Sequence, residues 1–291
     1  MSHFVTLVVD RTTAPLAPAL IERVRQAIAG GKPEILSPGE AVDIPCPALP
    51  DRAVLTEAIG DERADAITTR ARGRRKGLLV ADMDGTIVTS ETLDELAGFA
   101  GLGAEVSAIT QRSMNGEIDF ATALRERVAM LKGLKMGALE QTWARTKLTP
   151  GARELVATMR AHNATTALVS GGFTFFTERV AAKLGFDIHR ANVLIDEAGV
   201  LTGEVADPIL DRDAKLAALE ELAAARGVKL AATLAVGDGA NDLAMLRAAG
   251  LGVAFRAKPV VAAEARAQIR HTGLRTLLFA QGYRLAEITA A

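Results

Sequence analysis

The chain has a single cysteine, one tryptophan and one tyrosine among its 291 residues. One thiol excludes an intrachain disulfide framework. Cys46 sits between Pro45 and Pro47 and reads as a structural loop position more than as a reactive nucleophile. Nine phenylalanines supply nearly all the aromatic content, and 34 Lys and Arg face 35 Asp and Glu for a formal net charge of −1. A basic surface interleaved with stacking rings is therefore not expected, and with it no nucleic-acid partner. Small anionic ligands stay open. Also missing is an apolar run of the roughly 20 residues that a membrane span needs, so no membrane partner is expected. The run Phe4–Val9 lacks a basic flank and stops at Asp10, which reads as a strand and not a signal peptide. A cytoplasmic location is the resulting expectation.

What is present describes a globular chain of about two domains, with 49% hydrophobic and 24% charged residues. The first 72 residues carry a strand over 4–9 and a helical pattern from Pro15 to Ala29, with Leu16, Leu20, Ile21, Val24 and Ile28 on one face and Gly30-Gly31 at its end. Strand-like pieces near 34–44 and a helix from about Leu55 to Thr68 complete a small α+β domain over 1–72. The basic stretch Arg70 to Lys76 is expected to be a solvated linker.

From residue 73 to 291 the class is α/β. Apolar strands at 77–82, 165–170 and 231–237 are each followed by a helix-compatible stretch, which predicts a mainly parallel sheet with helices on both faces. Residues 92–148 interrupt that rhythm with helical patterns broken by Gly101, Gly103, Gly116 and Gly133. An all-helical insert directly after a strand is expected to form a cap over the strand's carboxyl end. The stretch Val193 to Thr202 reads as two strands around a tight turn, and Ala-rich helices are expected over 214–226 and 257–268.

Four elements carry chemistry. The first is Asp82-Met83-Asp84-Gly85-Thr86, directly after Gly77-Leu78-Leu79-Val80-Ala81. Carboxylates two residues apart on a strand share a face, here at the edge where open α/β sheets bind ligands. Burying such a pair raises one pKa unless a hard metal such as Mg²⁺ neutralises it; an acidic turn is the alternative. The second is Ser170-Gly171-Gly172 at the end of a strand, either an anion site of hydroxyl and backbone donors or a plain strand-to-helix turn. The third is Lys215, which would be solvated beside Asp211 and Asp213 or would balance a phosphoryl group. The fourth is Gly237-Asp238-Gly239-Ala240-Asn241-Asp242. It places Asp238 at the same edge as Asp82 as a further oxygen ligand, with Asp242 in support.

In this order, from roughly Lys76 to Arg270, these elements resemble the haloacid dehalogenase superfamily. Glu91 in Val88-Thr89-Ser90-Glu91-Thr92-Leu93, the segment Arg112 to Gly116, and Asp119 to Val128 resemble its phosphoserine phosphatase branch. The resemblance implies a Rossmann-like parallel sheet of that type with a small helical cap, and Mg²⁺-dependent hydrolysis of O-phosphoserine to serine and phosphate, the last step of serine biosynthesis. It implies Asp82 as the nucleophile that becomes an aspartyl phosphate and Asp84 as general acid and then base. Mg²⁺ would be held by the Asp82 and Asp238 carboxylates and the Asp84 backbone carbonyl. Ser170, Gly171, Lys215 and Asn241 would surround the phosphate, Glu91 would meet the substrate ammonium and Arg127 its carboxylate, and Met114 and Phe120 would wall the cap. Another small phosphomonoester, or transfer to an alcohol acceptor, keeps the same chemistry; an amino-acid-binding regulatory protein is a reading from another class. The first 72 residues fall outside the resemblance. Some of these phosphatases carry an N-terminal amino-acid-sensing module, and packing or homodimerisation is the other expectation for this segment.

Overall fold

The computed structural model describes residues 2–115 and 117–289. The chain opens with β1 (His3–Val9), α1 (Pro18–Ala27), β2 (Glu34–Ser37), β3 (Ala41–Cys46), α2 (Arg52–Ile59) and β4 (Ala64–Arg70). The four strands form an antiparallel sheet in the order β2-β3-β1-β4. β1 lies inside the sheet because Val5, Leu7 and Val8 are all buried. α1 begins at Pro18, where a missing N–H costs nothing, and lays Leu20 and Val24 into the same core.

The expected helix to Thr68 is too long. The Asp51 side chain caps α2 through Ala53 N, and Gly60 ends it at φ 62°. The β-branched Ile67, Thr68 and Thr69 then pair with β1 as a strand. Pairing with an open strand edge outweighs the weak helical pattern there.

The second part contains β5 (Leu78–Ala81), α3 (Thr92–Gly98), α4 (Gly103–Met114), α5 (Phe120–Ala129), α6 (Gly137–Arg145), α7 (Ala152–Ala161), β6 (Thr165–Phe173) and α8 (Thr174–Leu184). It continues with β7 (Ile188–Asn192), β8 (Leu194–Glu197), β9 (Val200–Val205), α9 (Arg212–Arg226), β10 (Thr233–Gly237), α10 (Leu243–Ala248), β11 (Leu251–Phe255), α11 (Pro259–Glu264), β12 (Ala267–Ile269) and α12 (Thr276–Ala280). Six strands pair in parallel in the order β12-β11-β10-β5-β6-β7. β5 and β10 are buried along their whole length, as expected of strands covered on both faces. Two apolar cores lie on the two sides of the sheet, one including α7, α8 and α12, the other α9 and α10. Since β5 connects onward to β6 on one side while β10 lies on its other side, the crevice at their carboxyl ends is a topological switch point.

Several expectations are corrected in detail. β6 runs on through Ser170, Gly171 and Gly172 to Phe173, so these residues do not open the following helix. The 257–268 helix stops at Glu264, and Ala267–Ile269 become β12, an edge strand beside β11. The β8–β9 hairpin forms as expected, but it also joins the helical insert through Gly133 N to Leu201 O at 2.9 Å and Leu201 N to Leu134 O at 2.8 Å. The basic stretch before β5 is not simply solvated. Arg74 donates to Asp43 at 2.6 and 3.0 Å and to Ala280 O at 3.2 Å.

The two sheets are tied further by Asp65, a buried carboxylate of β4 that accepts from Arg270 N, His271 N, Thr272 N and Thr272 Oγ1 at 2.7–3.1 Å. Among the described residues no helix is long and apolar enough to cross a membrane.

Candidate active site

Asp82 leaves the end of β5 with its N–H donating to Val236 O of β10 at 3.0 Å. Its Oδ1 lies 2.7 Å from Lys215 Nζ, and the same ammonium lies 2.6 Å from Asp242 Oδ1. Lys215 is fully buried. It therefore does not pair with its sequence neighbours at the surface; Asp211 instead caps α9 by accepting from Asp213 N and Ala214 N. Asp242 spends its other oxygen on Asp238 N and Gly239 N, at 3.1 and 3.0 Å. That bonding holds the turn after β10 and orients Lys215.

Carboxylate oxygens of Asp82, Asp238 and Asp242 lie within 4.8 Å of one another. Both oxygens of Asp242 are engaged, whereas Asp82 and Asp238 each keep one oxygen with no side-chain hydrogen-bond partner among the described residues. Asp238 accepts from Thr86 Oγ1 at 3.2 Å, and Gly85, at φ 66°, passes so close that a Cβ there would sit 2.7 Å from Asp238 Oδ2. Only glycine fits that turn.

Asp84 has other hydrogen-bond partners. Its two oxygens accept from Thr92 N and Thr92 Oγ1, both at 3.2 Å. A Cβ on Gly172 would lie 2.8 Å from Asp84 Oδ2, and one on Gly171 would lie 2.6 Å from Phe120 Cζ and 3.6 Å from Asn241 Nδ2. Thus Phe120, at the start of α5, closes over the β6 glycines, with Asn241 alongside. The hydroxyl of Ser170 accepts from Gly172 N at 3.0 Å.

In the insert, Arg127 is buried on α5, donating from Nη1 to Thr110 Oγ1 at 2.9 Å and from Nε to Ala123 O at 3.1 Å. Thr110 donates in turn to Asp94 at 2.6 Å. Arg127 has no carboxylate within ion-pair distance among the described residues, an unusual state for a buried guanidinium. Glu91 precedes α3 and borders a cavity of about 280 Å³ together with Gly85, Ser90, Asp238 and Lys258. Met114 ends α4, and its side chain lies outside what the structure describes.

Electrostatics follow from this burial. Desolvation, with the charge of Asp242 added, pushes Asp82 up to about 6. Desolvation and Asp82 push Asp84 up to about 7. Glu91 goes up to about 8, first through burial and then through Asp84 and Asp94, with Lys258 opposing. Asp238 is raised well above the ordinary range by burial and by Asp82. Burial pulls Lys215 down, but Asp242 and Asp82 more than offset it and its pKa rises. Burial lowers Arg127, with Asp94, Glu91 and Asp84 opposing. The site holds more buried negative charge than Lys215 can balance. Together with free oxygens on Asp82 and Asp238, that deficit fits a hard divalent cation.

Three residues that sequence reasoning missed also matter. Thr86 and Thr92 orient Asp238 and Asp84. Asn192 donates to Gly171 O at 2.8 Å and accepts from Leu210 N at 2.7 Å, binding β6 to the segment that leads into α9. Thr86 stood inside the acidic motif and Thr92 near the start of the insert, both visible signals. Asn192 had none.

The model of the haloacid dehalogenase-like hydrolases matches residues 79–247. A phosphoserine phosphatase of Streptococcus thermophilus is 47% identical over 199 residues, 68% of this chain and 93% of that protein. One of Archaeoglobus fulgidus is 48% identical over 188 residues, 65% of this chain and 55% of its own length, so the chain spans about half of that relative. Two solved phosphoserine phosphatase structures, a phospho-aspartyl intermediate analogue and a substrate complex, each give a TM-score of 0.68 at 40% identity, covering 70% of this chain and 98% of theirs. A Vibrio cholerae structure described as a probable phosphoserine phosphatase, unliganded, gives 0.78 at 32% identity and covers 98% of this chain and 88% of that one.

Proposed function

The chain belongs to the haloacid dehalogenase-like hydrolases, and from that premise we propose that it is a Mg²⁺-dependent phosphatase that hydrolyses O-phosphoserine to serine and phosphate. Similarity to phosphoserine phosphatases, including the intermediate analogue and the substrate complex, supports the substrate and the covalent route. The observation that carries the reading is the fully buried Lys215 bridging Asp82 and Asp242 at the sheet edge, with Glu91, just before the insert, and Arg127, within it, near enough to Asp84 to feel its charge.

Lys215 binds one oxygen of Asp82 and turns the other toward phosphorus. That oxygen attacks, the bond from phosphorus to the serine oxygen breaks, and Asp84 gives its proton to the departing alkoxide. An alcohol is a poor leaving group without that proton. Burial and the Asp82 carboxylate hold Asp84 above the ordinary carboxylate range, the direction that a proton donor near neutrality needs. Asp84, now ionised, takes a proton from water, whose oxygen attacks the aspartyl phosphate, freeing Asp82 and inorganic phosphate. When bound by the Asp82 and Asp238 carboxylates and the Asp84 carbonyl, Mg²⁺ supplies charge neutralisation at the phosphoryl oxygens. Ser170, Gly171, Lys215 and Asn241 contribute donors for the phosphate. Glu91 attracts the substrate ammonium, and the planar fork of Arg127 suits its carboxylate, while Phe120 excludes water above Gly171.

The division of labour follows two units, residues 1–72 and 73–291, with Glu91 and the cap over about 92–148 holding the groups that choose the substrate. The deciding experiment measures phosphate release from O-phosphoserine with and without Mg²⁺, in the parent protein and in Asp82→Asn. Activity is expected only with the metal and only with Asp82. Turnover by Asp82→Asn at the parental rate would refute the nucleophile assignment. A panel of other small phosphomonoesters separates phosphoserine selectivity from generic phosphatase activity.

A further inference from the structure

At the junction of the two sheets lies a second cavity, of about 640 Å³, onto which Arg52 of α2, Arg256 and Arg270 converge. Among the described residues no carboxylate lines it. The bonds these guanidiniums make are to neutral oxygens: Arg52 to the carbonyls of Ala262 and Ala265 at 3.2 and 3.3 Å, Arg256 to Thr272 O at 3.2 Å, and Arg270 Nε to the Gln268 side chain at 2.8 Å. Other arginines of the same junction are neutralised. Arg74 pairs with Asp43 at 2.6 Å and Arg275 with Glu40 at 3.0 Å.

Arg52, Arg256 and Arg270 are exposed to solvent at the rim, and among the described residues none of them is ion-paired at contact distance, so each can turn its charge toward an anion seated between them. The remaining wall is mostly apolar, with Ala254, Pro259 and Ile269 among its residues, so the complementary molecule carries an apolar body behind its charged group. Asp10 does not line the cavity. It lies near enough for Arg256 to help lower its pKa, after the larger effect of its hydrogen bonds from Thr12.

Arg256 adds an independent observation. Its φ of 44° is a left-handed conformation that long side chains rarely adopt. Its N–H is anchored on Ile269 O at 2.7 Å. In this conformation Arg256 borders both the junction cavity and the smaller cavity beside Glu91 and Asp238. Two residues later, Lys258 N donates to Asp238 O at 3.1 Å. The junction cavity and the candidate active site therefore share one wall.

We infer that the junction cavity is a binding site for a small organic anion, a carboxylate or similar headgroup on an apolar body, held by Arg52, Arg256 and Arg270. The inference is independent of the phosphoserine reading, because none of the groups assigned to substrate or metal lines this cavity.

The test uses the full chain and benzoate as the probe, titrated calorimetrically at constant ionic strength. Saturable binding of one equivalent is expected in the parent protein. Arg270→Ala should weaken it about tenfold, the loss of one charge-assisted contact, and Arg270→Lys should recover part of the affinity because it keeps the charge. Among the described residues the Arg270 side chain makes a single hydrogen bond, to Gln268, so the unfolding midpoint and phosphatase turnover of Arg270→Ala should stay at parental values. Arg52→Gln should weaken binding independently. Absence of saturable binding would overturn the inference. So would equal affinity in the parent and Arg270→Ala, or benzoate acting as a competitive inhibitor of equal strength in both, since that outcome places it in the catalytic cavity.

Discussion

Replacing Asp84 by Asn removes one proton-transfer group while leaving the surrounding bonds nearly intact. Asp84 is held by Thr92 N and Thr92 Oγ1, both at 3.2 Å. Asparagine can accept the first with its oxygen and donate to the hydroxyl with its nitrogen, so the turn after β5 should keep its shape. The substitution also removes a charge that helps hold up the pKa of the nearby carboxylates, and Asp82 should remain ionised at least as readily as before. The loss then falls on the proton. General acid catalysis contributes about 10²- to 10⁴-fold, or about 3–5 kcal/mol in barrier height, and that is the expected fall in the rate of the first displacement from phosphoserine.

An aryl phosphate provides the control because a phenolate leaves without a proton. Its first displacement should proceed at close to the parental rate in Asp84→Asn, and the acyl phosphate should then accumulate because the base for the second step is gone. Rapid-quench experiments should thus show a burst of phenolate, near one per protein molecule, followed by slow turnover. If Asp84→Asn slows phenolate release as much as it slows serine release, Asp84 is not the acid for the leaving group, and its position beside Thr92 has another purpose.

Three further outcomes are expected. Arg127→Ala should raise KM for phosphoserine about 10- to 100-fold through loss of charge-assisted bonds to the substrate carboxylate, with KM for an aryl phosphate lacking that carboxylate unchanged; parallel steady-state kinetics check this. Chelator-treated protein should lose stability as pH rises. Carboxyls whose folded pKa values are raised, Asp82 to about 6, Asp84 to about 7 and Glu91 to about 8, contribute stability that is fully present below their ordinary values of 3.8 to 4.5 and is lost as pH rises through the folded ones. Denaturant midpoints measured over that window should fall, and Mg²⁺ should flatten the fall; a midpoint that rises with pH in the chelated protein would contradict the charge-deficit argument. Asp65→Ala should cost about 3 kcal/mol in urea unfolding, because four donors of the β12 loop lose their acceptor, and an unchanged midpoint would show that water replaces the carboxylate without cost.

Much of the sheet and its edge was legible in the chain because both are written in local spacing. The apolar runs before Asp82, Ser170 and Asp238 read as strands since buried parallel strands are continuous in hydrophobicity. The insert after β5 read as helical from its 3.6-residue pattern. The helix expected through Thr68 failed where a local pattern met a non-local partner: Gly60 ends α2, and β1 offers an edge to the next segment. The stretch from Arg70 to Lys76 departs from the expected linker for the same reason. Its composition suits a linker, and nothing near Arg74 in sequence reveals Asp43 or the carbonyl of Ala280.

The sequence by itself determined the chemical types of the site, the order in which they are met, and the pairing of Asp82 with Asp84 two residues apart at the end of a strand. Only the tertiary structure decided that the two carboxylates have different surroundings, one held by Lys215 and the other by Thr92. It also decided that Lys215 is buried between Asp82 and Asp242 instead of solvated beside Asp211. The reason is the strand order β10-β5-β6: hydrogen-bonded neighbours in the sheet lie far apart along the chain, so the field at Asp82 is set by residues that no local window contains.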